Sequence, residues 1–147
     1  MNMHAKYAAD IERCGFTAIG VGDPAGTFYY SIGLTELGHP EVFISGLHPK
    51  HCHGLLRDIY DRIKAGEKFV AGQVDESLAN LPLAFRYLPE SVAREFCCQT
   101  VFYYEERGKA PTFLQIVIAD QNGKLPWQNG YDAEYMKCQR HLWVDLN

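Results

Sequence analysis

The run Glu41-Val42-Phe43-Ile44-Ser45-Gly46 sets the tightest limit on the fold. It is short, strand-forming and apolar on both faces, so it belongs inside a sheet and not at its rim. The strongest strand in the chain is Thr112 to Ala119, and Leu83 to Leu88 is another. Phe16–Val21 and Thr27–Leu34 flank the turn cluster Gly22-Asp23-Pro24-Ala25-Gly26 and read as an antiparallel hairpin. Phe69-Val70-Ala71 reads as a brief further strand.

Helical spacing appears between these runs. Met3, Tyr7, Ala8, Ile11 and Cys14 recur on one stripe over residues 3–14, and Gly15 follows as a stop signal. Pro49 suits the first turn of a second helix, which carries Cys52, Leu55, Leu56, Ile59 and Ile63 on one face and ends at Gly66. A third helix is expected from Pro89 to about Tyr104, although Thr100–Tyr104 is rich in strand formers. Asn122-Gly123 marks a turn, and Asp132 is placed to cap a last short helix.

The expected class is α+β. One mainly antiparallel sheet of about five to six strands carries three to four helices, mainly on one side, with one crossover connection. The 147 residues show no repeat or linker and form a single domain, 1–147, with an apolar C-terminal tail, 138–147, able to dock on the rest.

Composition narrows the function classes. The net charge of −4 argues against a dedicated nucleic-acid surface, whose affinity comes from Lys and Arg. No apolar run reaches the about 20 residues that span a bilayer, and the N-terminus has no signal-peptide core. Five cysteines with irregular spacing and no C-x-x-C read as reduced thiols, consistent with a cytoplasmic protein.

Three constellations contain chemistry-bearing residues. His48-Pro49-Lys50-His51-Cys52-His53 offers imidazole and thiol ligands, but His51 and His53 diverge on a helix, so no metal is expected. Tyr30, Ser31, Gly33, His39 and Glu41 cluster around two turns. Ser31, His39 and Glu41 have the types of a nucleophile, a base and an orienting acid, without the G-x-S-x-G elbow. Trp127 and Tyr131 lie on a Gly-rich loop, either as anchors or as exposed contact residues. No catalytic residue or cofactor is assigned from these patterns.

Several of the same residues resemble a bacterial family known as domain of unknown function 4262. The resemblance rests on Phe28-Tyr29-Tyr30-Ser31-Ile32-Gly33-Leu34, Gly38-His39-Pro40-Glu41 and Gly46-Leu47. It continues through Ala65–Phe69, Leu114–Val117, Asp120–Trp127 and Gly130-Tyr131-Asp132, covering about residues 10–135. Members usually carry Phe at the place of Leu125 and an acidic residue at that of Gln128. The resemblance implies a small bacterial cytosolic domain and brings no activity or cofactor.

The expected function is therefore a non-enzymatic binding protein, an immunity- or antitoxin-like inhibitor of a toxin-like protein partner, acting as a monomer or homodimer. The alternative is a split-barrel-like protein holding flavin or haem. A metal- or Ser/His-dependent hydrolase ranks below both.

Overall fold

Two five-residue strands, Phe28–Ile32 and Glu41–Ser45, are buried at every position. Successive side chains of a strand point to opposite faces, so both faces of this sheet must be covered. The structure, a computed structural model, describes residues 3–22, 24 and 26–145.

In chain order the elements are α1 (Met3–Cys14), β1 (Thr17–Val21), β2 (Phe28–Ile32), a 3-10 turn (Leu34–Leu37), β3 (Glu41–Ser45), α2 (Pro49–Lys64) and β4 (Val74–Asp75). There follow β5 (Leu83–Leu88), α3 (Glu90–Phe96), α4 (Cys98–Glu105), β6 (Phe113–Ile118) and a second 3-10 turn (Ala133–Lys137). The six strands form one sheet in the order β1-β2-β3-β6-β5-β4. All pairs are antiparallel except β3 and β6, which run parallel with Glu41 opposite Phe113. The crossover joining that parallel pair carries α2, β4, β5, α3 and α4. The chain is a single-sheet α+β fold, as its patterns predict.

One face takes α2. Leu55, Leu56, Ile59 and Ile63 of the helix pack on Tyr29, Val42, Ile44, Phe85, Leu114 and Ile116. On the opposite face Ala93, Cys97 and Val101 cover Phe28, Tyr30, Phe43, Leu88 and Phe113. Farther along that face Leu125 and Trp143 cover Ala84, Val117 and Ala119. Helices and loops therefore cover both sides. The expectation of cover mainly on one side fails because α2 and the pair α3–α4 pack on opposite faces, with α4 (Cys98–Glu105) turning Val101, Tyr103 and Tyr104 inward.

Other expectations shift locally. The stretch from Pro89 breaks into α3 and α4 at Cys97, whose φ of −116° and ψ of 37° leave the helical region. Phe69–Ala71 is not a strand. Phe69 is buried against His39 and Phe85, the first backbone bonds to β5 are made by Gly72 and Gln73 with Phe85, and the strand register starts at Val74. The sheet is open, with β1 and β4 at its edges, which removes the structural motive for a split barrel. Of the turn cluster after β1, Asp23 and Ala25 lie outside the described residues. Among the described residues no helix is long and apolar enough to cross a membrane.

The C-terminal tail is a strap across the second face. The Gln139 amide side chain pairs with both backbone groups of Ile118, as a neighbouring strand would. Arg140 N–H donates to Ser45 Oγ at 3.0 Å, and Gln115 Nε2 donates to Arg140 O at 2.6 Å. Val144 N–H donates to Tyr87 O, and Trp143 is buried.

The bend that ends β2 rests on Gly33, with φ +134°. A Cβ there would lie 2.7 Å from both Gly15 O and Phe16 Cα. Gly38, with φ +72°, has no atom within 4 Å of the same position. Gly33→Ala is therefore expected to lose about 3 kcal/mol, since backbone strain and a backbone clash add. Gly38→Ala is expected to lose only about 1 kcal/mol, the conformational term alone. Urea unfolding of the two variants measures the difference, and equal losses would contradict this account of Gly33.

Candidate functional site

β2 ends where Gly33 turns the chain into the 3-10 turn, and the chain returns through Gly38-His39-Pro40 to start β3 at Glu41. This brings the Glu41 carboxylate under the start of the turn. Oε1 accepts from Ser31 Oγ at 2.7 Å and Leu34 N at 3.1 Å. Oε2 accepts from Gly33 N at 3.2 Å, Thr35 N at 2.8 Å and Thr35 Oγ1 at 2.6 Å. Three successive backbone amides thus converge on one carboxylate, an anion nest closed by a residue of the same chain.

Glu41 and Ser31 are shut from solvent. Burial is the larger effect and holds the Glu41 pKa above the usual carboxylate range, while the bonds from Thr35, Ser31 and Leu34 oppose it. The three amides can only donate, so this donor set fits the ionised carboxylate.

Four residues singled out by sequence have structural partners here. Ser31 Oγ donates to Glu41 and accepts from Val42 N at 3.0 Å, which occupies the hydroxyl structurally. His39 touches neither Ser31 nor Glu41 by hydrogen bond. Its Nε2 accepts from Phe69 N at 3.0 Å, so the ring proton sits on Nδ1 and is donated to Pro40 O at 2.7 Å. Burial lowers the His39 pKa, the bond to Pro40 O opposes this, and Lys68 lowers it further. Tyr30 is a core residue whose hydroxyl accepts from Gln99 N at 3.4 Å. Gly33 is the bend itself. Ser31, Gly33 and Glu41 converge on one structural nest, and His39 pins the neighbouring loop.

Trp127 and Tyr131 belong to a different region. Their loop is built on Asp120, whose carboxylate accepts from Asn122 N, Lys124 N and Asp132 N at 2.8–2.9 Å. Burial pushes the Asp120 pKa up, but the amides of Asp132, Lys124 and Asn122 outweigh it and leave the pKa below the usual carboxylate range. Gln128 Oε1 adds a bond from Leu125 N at 2.8 Å.

The loop so fixed holds Trp127 with 39% of its surface exposed, directly over the Arg86 guanidinium at 3.8 Å. Trp127 meets Trp143 edge-on at 6.3 Å, and His141 stacks on Trp143 at 3.9 Å. Tyr131 is half-buried, with its hydroxyl sealed inside the loop. Sequence reasoning passed over Arg86, because a single arginine inside a strand pattern gives no signal until the loop that covers it is placed. It also passed over Thr35, which supplies two of the five donors to Glu41.

The histidine-rich segment resolves into separate structural tasks. His48 Nδ1 accepts from Lys50 N and caps α2, Cys52 is buried, and His53 packs edge-on against Tyr29. Among the described residues no three His, Cys, Asp or Glu side chains are grouped to hold a metal ion. A partly open pocket of about 200 Å³ lies between β5, α3, α4 and the approach to β6. Its floor is Leu88, Val101 and Phe113, and the Arg94–Glu105 pair at 2.6 Å stands at its rim. None of the residues selected from sequence lines it.

The model of the family described as Domain of unknown function (DUF4262) matches residues 10–132, which spans the nest and the Asp120 loop and stops short of the strap. No curated protein and no solved structure matches the chain.

Glu41→Gln keeps the shape but sets an amide NH2 against groups that donate. The expected loss is about 3 kcal/mol by chemical denaturation, as for a buried charge separated from its partners. An unchanged midpoint would show that the nest tolerates a neutral acceptor.

His39 predicts a pH dependence. The unfolded chain takes up a proton near pH 6.5, whereas the folded His39 resists it. Stability contributed by His39 is therefore complete above about pH 6.5 and falls as pH drops below it. His39→Gln is expected to flatten that slope in denaturation midpoints measured from pH 7.5 to 5.

Proposed function

The chain belongs to the DUF4262 family, and on that premise we propose that it is a non-enzymatic binding domain that recognises a protein partner, in the manner of an immunity or antitoxin factor. The observation that carries this reading is Trp127. It is a large aromatic, 39% exposed, on a loop locked by the Asp120 carboxylate. Aromatic residues of this kind dominate binding energy when they are held ready, because little conformational freedom is lost on association.

Its surroundings add to the reading. Arg86 lies beneath the ring, and Val144, 44% exposed, extends from the strap that also carries His141. Trp, Tyr and Arg are the residue types enriched at such anchors. A net charge of −4 would steer the domain toward a basic partner over distance, while Trp127 supplies the short-range contact. The five free cysteines accord with work in the bacterial cytoplasm, as a monomer or homodimer.

Trp127→Ala is expected to weaken capture of the partner at least about tenfold, the loss typical of a hot-spot aromatic. The measurement is quantitative co-purification from the host, with wild type and variant at equal expression. Because the variant also loses the ring's contacts with Arg86 and Trp143, capture is compared well below the melting midpoint of the variant. Undiminished capture by Trp127→Ala would overturn the reading, and so would the absence of any reproducible partner of the wild-type protein.

A further inference from the structure

The pocket of about 200 Å³ beside α3 and α4 lies at the margin of the second apolar face. Its floor is Leu88, Ala93, Val101 and Phe113, all members of the buried cluster on that face. Tyr87, 44% exposed, and Pro111 carry the apolar lining outward to solvent. Water gains few hydrogen bonds from such walls, so an apolar group that displaces it is favoured. The volume sets the size of that group. An apolar cavity of about 150 Å³ holds benzene, so a branched aliphatic side chain or a single six-membered ring fits here.

The mouth supplies charges of both signs. Glu90 and Arg94 come from α3, Glu105 from α4 and Lys109 from the segment before β6. Lys109 leans on Glu36 at 3.3 Å, a residue outside the pocket. Arg94 and Glu105 meet through Nη2 and Oε1 at 2.6 Å. That single contact leaves the other N–H groups of the guanidinium and the second carboxylate oxygen without a partner among the described residues. Glu90 likewise makes no ion pair among the described residues. Both members of the Arg94–Glu105 pair are about half exposed, so the pair adds little to the fold and can share its charges with a ligand.

A ligand suited to this mouth carries a positive and a negative charge side by side above an apolar body. An α-amino acid has that form, with ammonium, carboxylate and side chain on one carbon. Its carboxylate meets the remaining Arg94 N–H groups, and its ammonium meets Glu105 Oε2 and Glu90, in charge-assisted bonds. A ligand with one charge would answer one half of the pair and leave the other half unanswered.

We propose that this pocket binds a free apolar α-amino acid of the size of leucine or phenylalanine. The side chain rests on Val101 and Phe113, and the two charges lie at the Arg94–Glu105 pair. The proposal stands apart from the partner reading, since Trp127 does not line the pocket.

The test is an NMR titration of the full chain that reads the methyl signals of Leu88 and Val101. The probes are L-leucine and L-phenylalanine, with glycine lacking the side chain, leucinamide lacking the carboxylate and isocaproate lacking the ammonium. At least one of the two amino acids is expected to shift both sets of methyl signals saturably, in the millimolar range or tighter. Each truncated probe is expected to bind at least about tenfold more weakly, the loss for a buried side chain or a charge-assisted contact. Arg94→Gln changes an exposed residue and is expected to weaken amino-acid binding at least about fivefold while leaving leucinamide unchanged. Glu105→Gln, at the other half of the pair, is expected to weaken it likewise while leaving isocaproate unchanged.

Methyl signals unmoved by both amino acids would overturn the proposal. So would leucinamide or isocaproate binding as tightly as leucine, which would make the pocket a seat for a chain end or a fatty acid instead. Equal affinity in Arg94→Gln and the wild type would overturn it as well. None of these outcomes bears on Trp127-dependent capture, which is read separately.

Discussion

The buried carboxylate of Glu41 is the interaction on which the rest of the molecule depends. Placing an unpaired charge in the interior is costly, and among the described residues no cation pairs with this one. It is held by five donors from the end of β2 and the turn after it: Ser31 Oγ, the amides of Gly33, Leu34 and Thr35, and Thr35 Oγ1. Those bonds join the end of β2 to the start of β3, the two strands buried at every position. They fix the entry of β3, and with it the parallel register in which Glu41 lies opposite Phe113 of β6. They also order the turn whose exit presents His39 to the Phe69 amide. Thr100 then ties α4 to the same place by donating its hydroxyl to Ser31 O at 2.8 Å. A residue that resembles a catalytic acid in the sequence is thus a keystone, with its oxygens facing inward.

The second face follows a similar logic with different groups. Ser45, Gln115 and Arg86 place polar side chains between apolar clusters. Two of the three hold the backbone of Arg140, so the strap is located by hydrogen bonds as well as by the burial of Trp143. Asp120 does for the Trp127 loop what Glu41 does for the turn after β2, collecting three amides on one carboxylate. Arg86 is the exception in this pattern. Among the described residues no group accepts from its Nε, which lies beneath Trp127.

Much of the fold was legible because the signals were local. Pro49 and the apolar stripe of α2 define its start and buried face, and Asp132 caps the last turn through Glu134 N as its type suggests. The failures have tertiary causes. The expected helix from Pro89 is broken at Cys97, whose backbone leaves the helical region so that Val101, Tyr103 and Tyr104 of α4 can turn inward. Phe69 is apolar because it fills the space under His39, not because it belongs to a strand. At the candidate site, Ser31, Gly33 and Glu41 were recognisable as a group, yet their purpose was not. A nest and a catalytic cluster use the same residue types, and solvent access, which a sequence does not encode, separates them. Trp127 was legible as either an anchor or a contact. Its partner Arg86 was not, since 41 residues separate them along the chain.

The most direct measurement of the central claim is native-state hydrogen exchange at the amides of Gly33, Leu34 and Thr35. All three are donated to Glu41. If the nest is the keystone, these turn amides exchange only through global unfolding, at the same free energy as Val42 and Ile116 in the central strands. Exchange through a local opening, far faster than those strand amides, would contradict it and make the turn an accessory to a sheet that stands without it.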